Sequence, residues 1–395
     1  EYDRYSAEIP FEIFRTELIA KVVDTSGNRN YWWHWSNKVS VIVARHVQQI
    51  SELIKSGNAK AAFDNFLAEL RQNINPTISQ QDAIDMLAQH LVSRPVFEAV
   101  FDNYSFADKN PVSKSMNEII SVLDSSGLAN DRAELKEFYD TVREQCRDMG
   151  DAKNRQKIIV SLYDNFFKQA LPKTVQQLGI VYTPPEVVDF ILHSVSDALT
   201  KHFHRSISDR NIHILEPFAG TGTFIARLIQ SGLIRPQDLH RKYHKEIHAN
   251  EIVLLAYYIA AVNIENAFHA ANNRADYVPF DGICLTDTFQ TYENHVNKVQ
   301  YLAGMQNPLH ENSARIKSQL DTTIEIIIGN PPYSVGQKSA NDNAQNVHYE
   351  ILENRIAQTY AAGTTATNKN SLYDSYIKAF RWASDRIASG GIIGF

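Results

Sequence analysis

Asn330-Pro331-Pro332-Tyr333 stands directly behind the apolar run 324–328 in a chain of 395 residues. An asparagine side-chain oxygen accepts hydrogen bonds, and a diproline holds φ fixed so that the Pro331 carbonyl points the same way. Two such acceptors suit an amine whose lone pair is delocalised into a ring, such as adenine N6. Bonding both of its N–H groups draws the nitrogen toward tetrahedral geometry. Tyr333 supplies a flat ring on which an extruded base can stack. The plainer alternative is a proline-stiffened turn with a packed tyrosine.

A second cluster, Ile214-Leu215-Glu216-Pro217-Phe218-Ala219-Gly220-Thr221-Gly222-Thr223-Phe224, runs from an apolar strand into an acid, a tight Gly-x-Gly turn and a helix. Glycines let backbone approach a ligand closely, and a helix amino terminus offers free N–H groups. Position 225 is Ile, so the third glycine of a dinucleotide loop is missing. An acid at the strand end would repel a pyrophosphate and suits an amino group, such as that of S-adenosylmethionine. A plain tight turn between strand and helix is the competing explanation.

The elements that must carry these clusters follow from the pattern of apolar residues. From about residue 180, short β-rich runs (212–215, 246–249, 282–285, 324–328, 392–395) alternate with helical stretches (184–200, 223–231, 251–264, 372–388). Near-continuous apolar strands alternating with helices predict a parallel α/β sheet, whose ligand sites collect at the carboxyl ends of strands. Both clusters fall there.

Residues 1–170 read as successive amphipathic helices and predict a separate all-α domain, leaving 171–395 for the α/β domain. Apolar residues recur at helical spacing near Phe11 to Val22, along Val39, Ile42, Val43, Val47, Ile50 and Ile54, and along Phe63, Phe66, Leu67 and Leu70. Further segments follow at 119–123, 135–142 and 158–167. Ser79 and Asp82 match a capping box. The aromatic group Tyr31, Trp32, Trp33 and Trp35 reads as a hydrophobic plug, with base stacking as the alternative.

Composition bounds the classes. The chain is 44% hydrophobic and 21% charged, which excludes wholesale disorder. No apolar run reaches the length of a membrane span. Two cysteines exclude a disulfide framework or cysteine-rich zinc site and fit a reducing cytoplasm. The net charge of −6 lies entirely in the first 150 residues, so global charge gives no support to a nucleic-acid partner. His240, His244 and His248 have a spacing that could suit a metal on a helix, but a strand is expected there, and no metal site is assigned. The absence of an initiating Met and the apolar final run 390–395 lead to the expectation of a longer polypeptide.

Taken in order, these motifs resemble the amino-methyltransferases, specifically adenine-N6 DNA methyltransferases whose cofactor loop precedes the NPPY loop. The resemblance implies a Rossmann-like core, S-adenosylmethionine as cofactor, and transfer of its methyl to adenine N6 of double-stranded DNA, the adenine being flipped out. It implies that Tyr182, Thr183 and Pro184 cradle the methionine end of the cofactor. Glu216, Pro217, Ala219, Gly220, Gly222, Thr223 and Phe224 would form the cofactor loop, with Asn250-Glu251 at the ribose and Asp287 near the adenine ring. Asn330, Pro331, Pro332 and Tyr333 would be catalytic, and Asn370, Leu372 and Tyr373 would line the base pocket. Thr183, Pro184 and Glu186 also fit a helix start, with Thr183 as N-cap.

A helical module ahead of this order of motifs resembles the coupler of single-polypeptide restriction-modification enzymes, Type ISP or the related Type IIL. That implies a nuclease or helicase and a target-recognition domain on the same polypeptide. No GxxxxGK[ST] phosphate loop occurs here, so any motor lies elsewhere. Two other readings stay open at this point. One is methylation of another planar nitrogen, in an RNA base or a protein glutamine; the other is a non-catalytic module relaying motion between motor and nuclease.

Overall fold

The computed structural model describes residues 28–57, 59–100, 109–125, 140, 183–272, 277–296, 309–332, 348–365 and 367–395. The helices expected near residues 11–22, 135–142 and 158–167, the domain boundary at 170, and Tyr182 and Tyr333 lie outside them. So do the side chains of Tyr31, Trp32, Trp33 and Trp35.

Four described helices open the chain: α1 (Asn28–Lys55), α2 (Lys60–Asn73), α3 (Gln80–Val100) and α4 (Pro111–Ser125). Their apolar stripes are buried: Val39, Ile42, Ile50 and Ile54 from α1, and Phe63, Phe66, Leu67 and Leu70 from α2. Each such side chain contributes about 1.5–3 kcal/mol. The capping box forms as expected. Ser79 Oγ accepts from the Asp82 N–H at 3.1 Å, and the Ser79 N–H donates to Asp82 Oδ2 at 2.8 Å.

The second half runs α5 (Pro185–Phe203), β1 (Ile214–Glu216), α6 (Thr223–Gln230), α7 (Pro236–Arg241), a π-helical turn (Lys242–Glu246), β2 (Ile247–Glu251) and α8 (Leu254–Asn272). It continues with β3 (Ile283–Leu285), α9 (Thr288–Val296), α10 (His310–Asp321), β4 (Ile324–Ile328), α11 (Glu350–Gln358), a 3-10 turn (Asn370–Tyr373), α12 (Ser375–Arg386) and β5 (Ile387–Gly394). All recorded strand pairings are parallel, in the order β3-β2-β1-β4-β5. The five expected strands are present. The residues of β1 to β4 are mostly buried, as a sheet covered on both faces requires, whereas the edge strand β5 is only partly buried.

Connections leave β1 in opposite directions across the sheet, so the carboxyl ends of β1 and β4 meet at its topological switch point, the usual crevice for ligands. Among the described residues no helix is long and apolar enough to cross a membrane. The run from Leu254 onward is buried on every side because α8 lies between the sheet and the opening helices.

Three details differ from the sequence reading. Helices α9, α10 and α11 were not expected, since polar residues break their apolar spacing. Strand β5 begins at Ile387, inside the helix expected over 372–388; Asp374 starts α12 by accepting the Tyr376 N–H at 2.9 Å. The N-cap of α5 is Pro184, with Pro185 at N1 and no side-chain cap, because the Thr183 hydroxyl is engaged elsewhere.

Candidate active site

β1 ends on Glu216, and the chain turns sharply through two left-handed glycines, Gly220 (φ 54°) and Gly222 (φ 74°), into α6. The turn closes on itself through Gly222 N–H to the Ala219 carbonyl at 2.7 Å, and is tied to β2 through Ala219 N–H to the Asn250 carbonyl at 2.9 Å. The two glycines do different work. A Cβ on Gly222 would sit 3.0 Å from the Ala260 backbone, so Gly222 lets the loop pack on α8. A Cβ on Gly220 would meet nothing within 4 Å, so Gly220 borders open space. Gly222→Ala is therefore expected to lower stability by about 2–3 kcal/mol, through left-handed backbone cost and overpacking together, and Gly220→Ala by only about 1 kcal/mol. Denaturant melts of the two variants check this.

Glu216 is 1% exposed, and its Oε2 has no hydrogen-bond partner among the described residues. Burial pushes its carboxyl well above the usual range, against the pull of the Ile225 and Phe224 N–H groups. Such a carboxylate calls for a cation or a donor from a ligand. Glu251, at the end of β2, accepts from Gly220 N–H (2.7 Å) and Val253 N–H (2.9 Å), and burial raises it to about 7. It therefore ties the glycine turn to the end of β2. Beside it, Ile252 is an apolar side chain 37% exposed, which sequence reasoning passed over.

Asn250 donates to Thr288 Oγ1 (3.2 Å), and Thr288 in turn donates to the Pro217 carbonyl (2.6 Å). Asn263, one of several polar residues in α8, donates to the Thr221 carbonyl at 2.8 Å. Both Thr288 and Asn263 brace the loop, and neither was singled out from sequence. An asparagine directly behind the apolar run 259–262 was the available signal for Asn263.

On the other side of the switch point, Gly329 packs against the loop: a Cβ there would lie 3.8 Å from Pro217 and 3.9 Å from Glu216. Asn330 follows, half-buried, then buried Pro331 and exposed Pro332. Asn330 Nδ2 donates to Thr183 Oγ1 at 3.1 Å, which leaves Oδ1 as an acceptor with a fixed direction. The loop after β1, the start of β4's loop and the residue ahead of α5 thus converge.

Asp287 lies elsewhere in kind. Its Oδ2 accepts from Asn75 and from Tyr349 (both 2.7 Å), and its Oδ1 from the Phe289 and Gln290 N–H groups (2.9 and 3.2 Å). Four protein donors satisfy it, so it caps α9 and joins two other segments. Asn370, Leu372 and Tyr373 form the 3-10 turn against α11 and α12. No bond among the described residues joins that turn to Asn330.

Among the described residues no group of three or more His, Cys, Asp or Glu is arranged for a metal. His248 lies on strand β2, where its ring stacks on His213 at 5.4 Å, while the rings of His240 and His244 lie 4.3 Å apart, tilted by 46°.

Two family models match. The coupler domain of Type ISP restriction-modification enzymes matches residues 31–154, and N-6 DNA Methylase matches residues 154–365. Solved structures similar to the chain include a nuclease-deletion mutant of the Type ISP restriction-modification enzyme LlaGI in complex with a DNA substrate mimic (42% identity, TM-score 0.87). The match covers 97% of this chain and 31% of that one. The ATP-dependent Type ISP enzyme LlaBIII bound to DNA is similar at 43% identity and TM-score 0.87, over 97% and 26% of the two chains. A DrdV–DNA complex is similar at 31% identity and TM-score 0.78, over 92% and 35%. The chain thus spans between 26% and 35% of the length of these relatives. No curated protein matches it. A glycine turn beside a buried acid, an NPPY corner at the switch point and a model match over more than half of the residues together assign the chain to the N-6 DNA methylase family, with a Type ISP coupler-like region ahead of it.

Proposed function

We propose that this chain is the methyl-transferring part of a restriction-modification enzyme and methylates adenine N6 in double-stranded DNA. Nuclease, motor and target-recognition domains would lie on the same polypeptide outside the 395 residues. The observation that carries the reading is the Asn330 carboxamide. Its donor end is held by Thr183, and its acceptor end is left for an incoming amine, beside the buried Glu216, whose Oε2 has no hydrogen-bond partner among the described residues.

Members of the N-6 DNA methylase family use S-adenosylmethionine as methyl donor, and the residues present fit it. Glu216 offers an unpartnered buried oxygen to its ammonium group, Gly220 leaves room for close backbone approach, and Glu251 faces its ribose hydroxyls. The exposed Ile252 gives an apolar face for its adenine ring. Thr223 and Phe224 start α6 beneath the loop, Thr183 and Pro184 would border the methionine end, and Tyr182 is assigned there by the resemblance alone. When bound, the cofactor supplies an electrophilic methyl on a sulfonium.

The protein's part is to align and to accept hydrogen bonds. Asn330 Oδ1 takes one N–H of the adenine amine and the Pro331 carbonyl takes the other, localising the nitrogen lone pair. Pro332 keeps the corner rigid, Tyr333 stacks on the flipped base, and Asn370, Leu372 and Tyr373 wall the pocket. No residue needs to form a covalent bond to substrate. Cys284 suits that conclusion: it is buried, and burial raises its thiol to about 12.

The test is product analysis of the intact polypeptide with methyl-labelled S-adenosylmethionine and separate DNA, RNA and protein substrates. Label recovered as N6-methyladenine in DNA is the expected result. Label confined to an RNA base or a glutamine side chain refutes the assignment. Absence of cofactor binding in calorimetry favours a relay module instead.

A further inference from the structure

We infer that the helical region contributes a positioning residue, Asn75, to the cofactor pocket, where it holds Asp287 and through it the loop after β1. The inference rests on the reading above, that this loop binds S-adenosylmethionine.

The bonds form one chain. Asn75 sits just past α2, in a turn where its Oδ1 accepts both the Thr77 N–H (2.9 Å) and the Thr77 hydroxyl (2.7 Å). Pro76 stiffens that turn. The amide is therefore locked, and its Nδ2 is aimed at Asp287 Oδ2, 212 positions along the chain, at 2.7 Å. Asp287 Oδ1 fixes the first N–H groups of α9. Thr288, inside that first turn, donates to the Pro217 carbonyl of the glycine loop. Three links thus connect the helical region to the cofactor loop.

Two neighbouring ties hold the same contact. Thr286 Oγ1 donates to the Asn73 carbonyl at 2.7 Å, and Ser313 Oγ donates to Asn73 Oδ1 at 2.6 Å. Tyr349, the second donor to Asp287, is the titratable group that faces it. Burial keeps its phenol protonated and donating.

Other bonds across the same interface end differently. His90 accepts from the Tyr258 hydroxyl (2.8 Å), and Asn110 donates to the Tyr257 hydroxyl (3.2 Å). Both end on α8 side chains rather than on Asp287. These fasten the two regions together; Asn75 acts on the pocket. Asp287 is 4% exposed, and loss of a donor leaves its carboxylate under-solvated in the interior. The acid then takes up a proton or turns away, and α9 loses part of its cap.

The experiment measures sinefungin affinity of the intact polypeptide by calorimetry between pH 6 and 8.5. Asn75→Ala is expected to weaken binding about tenfold at every pH, from loss of one hydrogen bond to a charged group. Asn75→Asp places two carboxyls in contact. At low pH they share a proton and bind nearly as the native chain does, whereas at high pH both ionise and affinity falls. Tyr257→Phe, which cuts an interface bond without touching Asp287, is expected to stay within about twofold of native. At saturating cofactor the methylation rate of Asn75→Ala is expected near native, because the effect lies in binding.

If Asn75→Asp does not fold, Thr77→Val, which removes one of the two bonds that orient the Asn75 amide, is expected to weaken binding about threefold. Native affinity in the Asn75 variants, or a loss no greater than that of Tyr257→Phe, overturns the inference. Failure of the native chain to bind sinefungin overturns the cofactor reading itself, and this inference with it.

Discussion

Replacing Asn330 with alanine is expected to cut adenine methylation by at least about a thousandfold while cofactor affinity stays within about twofold. The size follows from comparison with preorganised hydrogen-bond groups in other enzymes, where losing one costs about 10²–10³ in rate. Here the loss also removes the acceptor that localises the amine lone pair. Asn330 makes no described bond to the loop after β1 and touches the cofactor side only through Thr183, so the change in cofactor affinity is expected to stay small. Asn330→Asp is a sharper variant. It keeps an acceptor but loses the donor that fixes the side chain on Thr183, so an intermediate rate with native cofactor affinity is expected. Single-turnover methylation and calorimetry on the same preparations check both. Methylation within tenfold of native in Asn330→Ala rules out the assigned role.

Glu216→Gln is expected to weaken S-adenosylmethionine binding about a hundredfold, the equivalent of about 3 kcal/mol for removing one partner of a buried charge pair. The pH dependence supplies the more specific signature. Burial raises the Glu216 carboxyl in the free protein, so it holds a proton above the ordinary range near 4.5. A cation at Oε2 favours the ionised form and lowers that value, so binding releases protons. Native affinity is therefore expected to rise with pH up to the point where the free carboxyl is already ionised. The Gln variant, which has no proton to release there, should lose most of that slope. Glu251, raised to about 7, adds a smaller contribution because hydroxyls carry no charge.

Stability moves the opposite way. A buried acid with a raised value stabilises fully only below its unfolded value, and that contribution is lost as pH rises toward the folded one. Glu216→Gln should thus be more stable than native at pH 8 without cofactor, and less responsive to it. Equal pH slopes in the two proteins would remove Glu216 from the ammonium site.

Much of the site was legible in one dimension. The NPPY corner, the Gly-x-Gly turn and the acids after β1 and β2 are adjacent letters whose chemistry depends on residue type and on a strand ending nearby. Apolar runs of strand length and stripes at helical spacing located every strand of the sheet, because burial of a strand or a helix face is recorded in its own residues. The Ser79–Asp82 capping box was readable for the same reason: both partners sit within one turn.

What escaped had its cause elsewhere in the chain. The start of α5 fell one residue later than expected because Thr183, a good cap by type, gave its hydroxyl to Asn330, 147 positions away. Asp287 reads as a ligand acid in sequence and is occupied by Asn75, Tyr349 and the start of α9 in the fold. Asn75 itself, followed by proline, carries only the signal of a helix ending. Residue types and local periodicity by themselves determined the parallel sheet and the two candidate loops at its switch point. Tertiary structure alone decided which donor meets which acceptor, since a hydrogen bond requires about 3 Å of separation and no sequence spacing encodes that distance across a folded interface.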